Sequence, residues 1–281
     1  MFRFTTLTST LALLAAPALA DGHASTMGYA LSGDGTSLTV MDSIAMPEEA
    51  RSVTLATPVR SIAWRPVTGE LVGFADDRIV TINTMTGETM DTGATFMGDA
   101  MIAEDAVVAF DFNNKIDAVR AVGSTGENLV YFPMDFGDER ANSVRRFTDL
   151  FYAEGDMSDG AEPLIFANAY TNAISGAKAS GTFQYALDAR ANALVSLANN
   201  AGTLETIGPI TIDGEPADVL PIGGFDIVSP EEGVDAAYAV LQIDGEDTAG
   251  LYAIDVTSGA ATMLADLGAS DISSFAVSMG M

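Results

Sequence analysis

Residues 59–95 read VRSIAWRPVTGELVGFADDRIVTINTMTGETMDTGAT, and this stretch decides the fold. Short apolar segments alternate in it with turns rich in Pro, Gly, Asp and Thr, which is typical of antiparallel strands joined by tight turns. The predicted strands are Val59–Arg65, Leu71–Ala75, Arg78–Asn83 and Glu88–Thr95. The stretch therefore predicts one unit of antiparallel strands that follow each other directly.

The same unit recurs towards the C-terminus. A second copy begins with Ala106–Phe112, and a polar insertion around Gly137–Arg146 displaces its last strand. A third copy runs from Leu164 to Ile210, and a fourth from Gly224 to Leu264. The spacing of about 50 residues per copy is near the range of β-propeller blades.

The two ends of the chain hold complementary parts of one further unit. Ile272–Ser278 resembles a first strand after which the chain stops. Segments that resemble later strands without a first strand lie near the N-terminus, at Gly28–Leu31, Ser37–Met41 and Val53–Ala56. A closed ring of blades hides its sheet edges, whereas a linear β-solenoid, the alternative, needs no complementary ends. We therefore expect an all-β fold, a β-propeller of five four-stranded blades over residues 28–281, closed by the C-terminal strand pairing with the N-terminal strands.

Residues 1–20 have the three parts of a cleavable signal peptide. Arg3 supplies the positive charge, Leu7–Ala16 is an apolar run too short to span a bilayer, and Ala18–Ala20 is a small-residue cleavage site. An N-terminal membrane anchor is the alternative, but the apolar run stops early and no basic stop-transfer residues follow it directly. We expect cleavage near Ala20, a flexible tail at residues 21–27, and an exported domain that is periplasmic or extracellular.

Composition excludes several classes of partner and chemistry. The chain has 39 Asp and Glu against 12 Lys and Arg, a net charge of −27, so we expect no nucleic-acid partner. After residue 20 no run approaches the roughly 18 apolar residues of a membrane helix, so we expect no membrane span in the mature chain. The absence of cysteine excludes disulfides, thiol nucleophiles and thiolate metal ligands.

The sequence also argues against a catalytic site that depends on histidine. The only histidine, His23, lies in the predicted tail, where no fold would position it. A Ser-His-Asp triad needs a positioned imidazole, and a catalytic zinc ion normally has histidine ligands. No glycine-rich loop leads into a helix, so a phosphate-binding loop is not predicted either.

The most specific similarity to a known family lies in residues 110–129, and shorter ones lie in Ala169–Asn172, Ala201–Leu204 and Gly250–Asp255. These segments resemble a bacterial exported family known only as domain of unknown function 4394. The resemblance extends from about Gly28 to Val277. It implies a propeller-like fold and an exported location, and it carries over no catalytic residue.

Carboxylates are the one reactive group that the chain has in quantity. Asp111 and Asp226 occupy the same position in two predicted first strands, each directly after a Phe. First strands line the central channel of a propeller, so both carboxylates, with Asn113 and Asn168, are candidate ligands of a Ca²⁺ ion, which prefers oxygen. The favoured alternative is structural, because an Asp at this position can accept hydrogen bonds from backbone amides of the next blade. No other cofactor is expected.

Two further groups have both a functional and a structural interpretation. Arg140, Arg145 and Arg146 form the only cluster of basic residues, within the polar segment 135–161 that we regard as the first candidate for a partner surface. Local ion pairs with neighbouring acidic residues are the favoured alternative. Aromatic residues in strands are candidates for a ligand pocket, although packing between blades explains them more simply, at Phe74, Trp64, Tyr131 and Tyr170.

These observations favour a non-enzymatic binding or scaffold module over an enzyme. The rigid ring would present loops on one face to an unknown protein or small-molecule ligand. A Ca²⁺-dependent propeller hydrolase with channel carboxylates is the first alternative. A structural surface or matrix protein is the second.

Overall fold

The computed structural model describes residues 26–279, whose strands, numbered in chain order, form five sheets. Each sheet is a blade of a β-propeller, which confirms the predicted fold class. The predicted signal peptide, His23 and most of the predicted tail lie outside the described residues.

Blade 1 joins the two ends of the described chain. Its order is β24-β1-β2-β3, and its strands are β1 Met27–Ser32, β2 Ser37–Met41, β3 Arg51–Thr54 and β24 Ile272–Ser278. β1 and β24 are antiparallel, with Met27 opposite Ser278. The predicted closure by the C-terminal strand is therefore confirmed, and β1 begins at Met27, one residue before the predicted domain boundary. A 3-10 helix, Pro47–Glu49, lies between β2 and β3.

Blade 2 contains the stretch that predicted the fold. Its order is β4-β5-β6-β7, and its strands are β4 Ser61–Arg65, β5 Glu70–Phe74, β6 Ile79–Ile82 and β7 Thr89–Asp91. Each falls within a predicted strand or extends it by one residue.

Blade 3 corrects the predicted length of the polar insertion. Its order is β8-β12-β11-β10-β9, and its strands are β8 Thr95–Phe96, β9 Val108–Asn113, β10 Ala118–Gly123, β11 Asn128–Phe132 and β12 Ser143–Arg146. The fourth strand of the antiparallel set is thus β12, which lies inside the segment predicted as an insertion. The inserted loop is only residues 133–142, because β12 pairs directly with β11.

Blades 4 and 5 repeat this arrangement. Blade 4 has the order β13-β17-β16-β15-β14, with β13 Phe151–Tyr152, β14 Ile165–Tyr170, β15 Gln184–Asp188, β16 Ala193–Leu197 and β17 Thr203–Pro209, and a 3-10 helix at Asn199–Ala201. Blade 5 has the order β19-β18-β23-β22-β21-β20, with β18 Thr211–Ile212, β19 Glu215–Pro216, β20 Val219–Glu231, β21 Val234–Ile243, β22 Gly250–Ile254 and β23 Ala260–Asp266. In blades 3, 4 and 5 the chain arriving from the previous blade adds a short parallel strand beside the fourth antiparallel strand, namely β8, β13 or β18.

The turn between β6 and β7 illustrates how local sequence fixes a blade. The side-chain Oδ1 of Asn83 accepts hydrogen bonds from the backbone N–H groups of Met85 and Thr86, at 2.9 and 3.1 Å. Gly87 follows with a φ of +75°, where a Cβ would overlap the carbonyl oxygen of Thr54 in blade 1. Only glycine combines this backbone conformation with so close an approach, so the turn also positions blade 2 against blade 1.

Apolar cores lie between adjacent blades. Tyr29 of blade 1 stacks on Trp64 of blade 2 with ring centroids 5.4 Å apart, and Phe74 of blade 2 meets Phe110 of blade 3 edge-on at 5.8 Å. Stacked and edge-on aromatic pairs of this kind add to the free energy gained from burial. The innermost strands β24, β4, β9, β14 and β20 contact one another in that order, and β20 contacts β24, so they enclose a central channel.

Among residues 26–279 there is no helix with the length and apolar character needed to cross a membrane.

Candidate functional site

A groove with a volume of about 530 Å³ opens between blades 2 and 3. It is lined by Arg65, Thr68, Glu70, Val72, Thr81, Met90, Asp91, Thr92, Phe112, Tyr131, Pro133, Met134 and Asp135. Blade 2 supplies residues from all its strands, and blade 3 supplies β9, β11 and the start of the loop 133–142. This volume falls within the range of small-molecule pockets in proteins, about 300–1,000 Å³.

Arg65 forms a fixed ion-pair network at the inner wall of the groove. Its Nε and Nη2 donate to the two carboxylate oxygens of Asp117, at 2.8 and 2.6 Å, and both side chains are buried. Nη2 also donates to Asp135 at 2.7 Å, and Nη1 to Glu70 at 3.3 Å. Burial, the largest contribution, acts to lower the pKa of Arg65, but its bonds to Asp117 and Asp135 raise that pKa above the ordinary value overall. The guanidinium is therefore charged and pre-positioned.

The floor of the groove is apolar. Val72, Phe112 and Tyr131 are buried side chains that line it. Met90 and Met134 flank the opening and are 70% and 67% exposed. Methionine is flexible and polarizable, so exposed methionines beside an apolar floor provide walls that adapt to an apolar ligand.

Carboxylates form the outer part of the groove. Glu70 and Asp135 keep 44% and 60% of their side-chain surface exposed while they contact Arg65. Asp91 accepts a hydrogen bond from the backbone N–H of Gly93 at 2.7 Å and is also exposed. The groove thus joins an apolar interior to a negatively charged edge.

The predicted channel carboxylates connect neighbouring innermost strands. Asp111 of β9 accepts a hydrogen bond from the backbone N–H of Tyr170 in blade 4, at 2.7 Å. Asp226 of β20 accepts one from Val277 in β24 and one from Ile227, both at 2.7 Å. These are the contacts of the structural alternative, in which an Asp binds backbone amides of the next blade.

Burial controls the ionisation of both carboxylates. It raises the pKa of Asp226 to about 7, although the two backbone hydrogen bonds act to lower it. Burial raises the pKa of Asp111 well above its ordinary value, and the nearby charge of Asp226 raises it further. The two groups are therefore close enough to repel each other when both are ionised.

The two predicted asparagine ligands have different surroundings. Asn168, on the innermost strand of blade 4, is 1% exposed, and neither its Oδ1 nor its Nδ2 has a hydrogen-bond partner among the described residues. The Oδ1 of Asn113 instead accepts bonds from Lys115 N at 3.1 Å and from Thr182 Oγ1 at 3.0 Å. Asn113 therefore stabilises a turn at the end of the channel. Within residues 26–279 no three His, Cys, Asp or Glu side chains lie together as a metal site.

The two ends of the channel differ. The segment 171–183 extends from blade 4 across one end, where Gly176 N donates to Pro66 O of blade 2 at 2.9 Å and Asn172 N donates to Asp235 of blade 5 at 2.8 Å. Blade 2 is not adjacent to blade 4 in the ring, so this segment lies across that end. The other end opens into a cavity of about 410 Å³, lined in part by acidic residues, namely Asp34, Asp76, Glu104, Asp105 and Asp271.

The predicted arginine cluster is engaged in contacts within the protein. Arg140 pairs with Asp138, which lowers the pKa of that carboxyl group to about 2, and its guanidinium lies 4.9 Å from the ring centroid of Phe132. Arg145 donates to Ser143 Oγ and Glu139 O, and Arg146 donates to both carboxylate oxygens of Asp149, namely at 3.0 and 2.8 Å. A partner surface on the segment 135–161 stays a prediction.

Of the groove residues, sequence reasoning considered only Tyr131 as a pocket residue. The other aromatic candidates pack elsewhere: Trp64 on Tyr29, Phe74 on Phe110, and Tyr170 against Arg120 at 2.8 Å. Arg65 carried a detectable signal, because a charged residue at the end of an apolar strand requires a partner.

Comparisons with known proteins give one family and several remote structural similarities. The fold is similar to that of a solved protein of unknown function from Bacteroides caccae, with 8% identity and a TM-score of 0.42. The similarity covers 90% of this chain and 98% of the other. It is also similar to two proteins described as auxiliary nutrient binding proteins. The one from Bacteroides thetaiotaomicron has 10% identity and the one from Bacteroides ovatus has 11%, each with a TM-score of 0.43 over 75% of this chain.

The chain spans 55% of the length of each of those two proteins. No curated protein matches the sequence. The family described as "Domain of unknown function (DUF4394)" matches residues 37–276, which include parts of all five blades. The chain therefore belongs to the DUF4394 family.

Proposed function

We propose that this protein is an exported, non-enzymatic binding module whose ligand occupies the groove between blades 2 and 3. One observation carries the proposal: an apolar floor of Val72, Phe112 and Tyr131 is already formed and opens to solvent. Pre-formed apolar pockets with a few fixed polar groups are the usual form of ligand sites. Arg65 holds Glu70 and Asp135 at the edge of the groove, so these carboxylates supply such fixed groups.

The methionines support an apolar ligand. Met90 and Met134 expose most of their surface at the groove, although burial of an apolar side chain is favourable. A ligand that covers them would recover that free energy. The proposal therefore predicts that apolar molecules bind at this place more strongly than at the rest of the surface.

A titration with the neutral, environment-sensitive dye Nile red tests this proposal. We expect saturable fluorescence enhancement in the wild type, and about tenfold weaker binding in M90A/M134A, which corresponds to ~1.4 kcal/mol of lost apolar contact. T81W, which places a large ring on a half-buried lining position, should abolish the enhancement. The matched control M101A/M157A removes two methionines that are 66% and 83% exposed but do not line the groove. Equal dye affinity in all four proteins would contradict the proposal.

A Ca²⁺ ion in the channel, with the hydrolase activity that it would support, is the second candidate. It is favoured by the unpartnered, buried carboxamide of Asn168, which lies on the strand between those of Asp111 and Asp226 in the ring. Against it, the carboxylate oxygens already accept backbone hydrogen bonds. A bound native-state ligand must raise the melting temperature, so melting curves with Ca²⁺ and with a chelator test this candidate. Coincident curves would contradict this candidate at the concentrations used. D226N, which lacks one of the two candidate carboxylates, is the matched control and should show a smaller effect of Ca²⁺ on the melting temperature.

A further inference from the structure

We infer that the groove between blades 2 and 3 selects ligands that join an apolar body to a positively charged amine, an inference that rests on the proposed function. The charges that line the groove are unequal. Arg65 is the one lining residue with a positive charge, whereas Glu70, Asp91 and Asp135 are negative.

The charge of Arg65 is already matched inside the protein. Its bidentate bond to Asp117 pairs two side chains that are 8% and 7% exposed. Asp117 does not line the groove, so this pair leaves the three lining carboxylates as an excess of negative charge. A cationic ligand would compensate this excess, and an anionic ligand would increase it.

The donor groups of Arg65 are also largely occupied. A guanidinium has five N–H donors, and four hydrogen bonds link Arg65 to Asp117, Asp135 and Glu70. A ligand carboxylate would have to displace one of these partners to reach the guanidinium. Arg65 is therefore a poor anchor for an anion, although it is an arginine at the wall of a pocket.

The lining carboxylates, by contrast, retain acceptor capacity. Asp91 uses one oxygen for Gly93 N, and Asp135 uses one for Arg65, so a second oxygen of each makes no hydrogen bond within the part of the chain described by the structure. Both side chains are exposed, beside Met90 and Met134. An ammonium group could therefore contact carboxylate oxygens while the attached hydrocarbon covers the methionines and the apolar floor.

Calorimetric titration with three matched octyl compounds tests the inference, namely octylammonium, octan-1-ol and octanoate. Each exposed ion pair is weak, but three carboxylates line the groove. We therefore expect octylammonium to bind about tenfold more tightly than octan-1-ol at low ionic strength, and octanoate to bind least. The preference should shrink at about 0.5 M salt, because exposed charges are screened.

Variants show whether the preference belongs to the groove. D91N/E70Q should reduce the ratio of the octylammonium affinity to the octan-1-ol affinity about threefold or more. The control E104Q/D105N removes the same charge at the far end of the channel and should leave the preference unchanged. T81W should remove binding of octylammonium and of octan-1-ol.

The outcomes separate the two proposals. If octylammonium and octan-1-ol bind equally and T81W abolishes the binding of both, the proposed binding function is supported and the charge selectivity is overturned. Tightest binding of octanoate, or amine binding that T81W leaves intact, would also overturn the selectivity. Failure of all three compounds together with a failed Nile red titration would overturn the proposed function itself.

Discussion

The channel and the groove both contain carboxylates, but they use them differently. In the channel, the oxygens of Asp226 accept backbone N–H bonds from Val277 and Ile227, and the side chain is 4% exposed. In the groove, Asp91 and Asp135 each keep one oxygen without a partner and face solvent. The difference follows from position in the blade, since innermost strands are covered by neighbours and strand ends between blades are not.

This contrast separates stability from binding. A carboxylate that holds two amides of adjacent innermost strands stabilises the ring, and its loss leaves buried donors without partners. A carboxylate at the exposed edge of a groove contributes little to stability and remains available to a ligand. Variants at the two places should therefore affect different measurements.

Removal of residues 270–281 should have the largest effect. It deletes β24, which supplies the innermost strand of blade 1 and the buried side chains of Phe275 and Val277. β1 would lose its pairing with β24 and Asp226 its bond from Val277, so we expect no cooperative thermal transition by circular dichroism. Deletion of residues 280–281 alone, which lie outside the described chain, is the control. A truncated protein that melts like the wild type would show that the ring does not depend on this closure.

The substitution D226A should have the next largest effect. It leaves the buried N–H groups of Val277 and Ile227 without acceptors, which is expected to lower the free energy of unfolding by about 2–4 kcal/mol. Denaturant unfolding measures this change, and D244A, at an exposed hairpin tip, is the matched control. If D226A destabilised the protein as little as D244A does, the channel carboxylate would have no structural role that distinguishes it from an exposed one.

The pH dependence of stability should reveal the buried channel pair. Burial raises the pKa of Asp226 in the folded state to about 7, whereas the unfolded value is near 3.8. A raised folded pKa stabilises the protein fully below the unfolded pKa, and this stabilisation is lost as the pH rises through the folded pKa. We therefore expect the free energy of unfolding to fall between pH 5 and pH 7, within the interval between the unfolded and the folded pKa.

Asp111 contributes in the same direction, because burial and the charge of Asp226 raise its pKa. The control D226N should show a shallower slope over the same pH range. Asp138, whose pKa is lowered to about 2 by Arg140, titrates outside that range. A stability that rises from pH 5 to pH 7 in the wild type would contradict the assignment.

The ring could be predicted from the sequence because its strands are local patterns. Alternating apolar residues and turn residues such as Asn83 and Gly87 specify each hairpin within a few positions. The closure was predictable because the two chain ends carry complementary parts of one unit. The short parallel strands β8, β13 and β18 were not predicted, since each has only two residues and its pairing depends on where the connecting chain runs.

The groove could not be predicted because its parts are distant in sequence. Arg65 and Asp117 are 52 positions apart, and Met90 and Met134 belong to different blades. Their proximity depends on how far neighbouring blades separate at their ends, which no local pattern encodes. The channel positions of Asp111 and Asp226 were predictable, since repeats place equivalent residues at equivalent sites.

The smallest expected effect on stability is that of D91N. Asp91 is exposed and binds only the backbone N–H of Gly93, which the Asn side-chain oxygen can still accept. We expect the free energy of unfolding to change by less than about 0.5 kcal/mol, as for most surface substitutions. Denaturant unfolding of D91N, measured in parallel with D226A and the wild type, checks this expectation. If D91N were as destabilising as D226A, the groove edge would be part of the structural framework, and its carboxylates would no longer be free for a ligand.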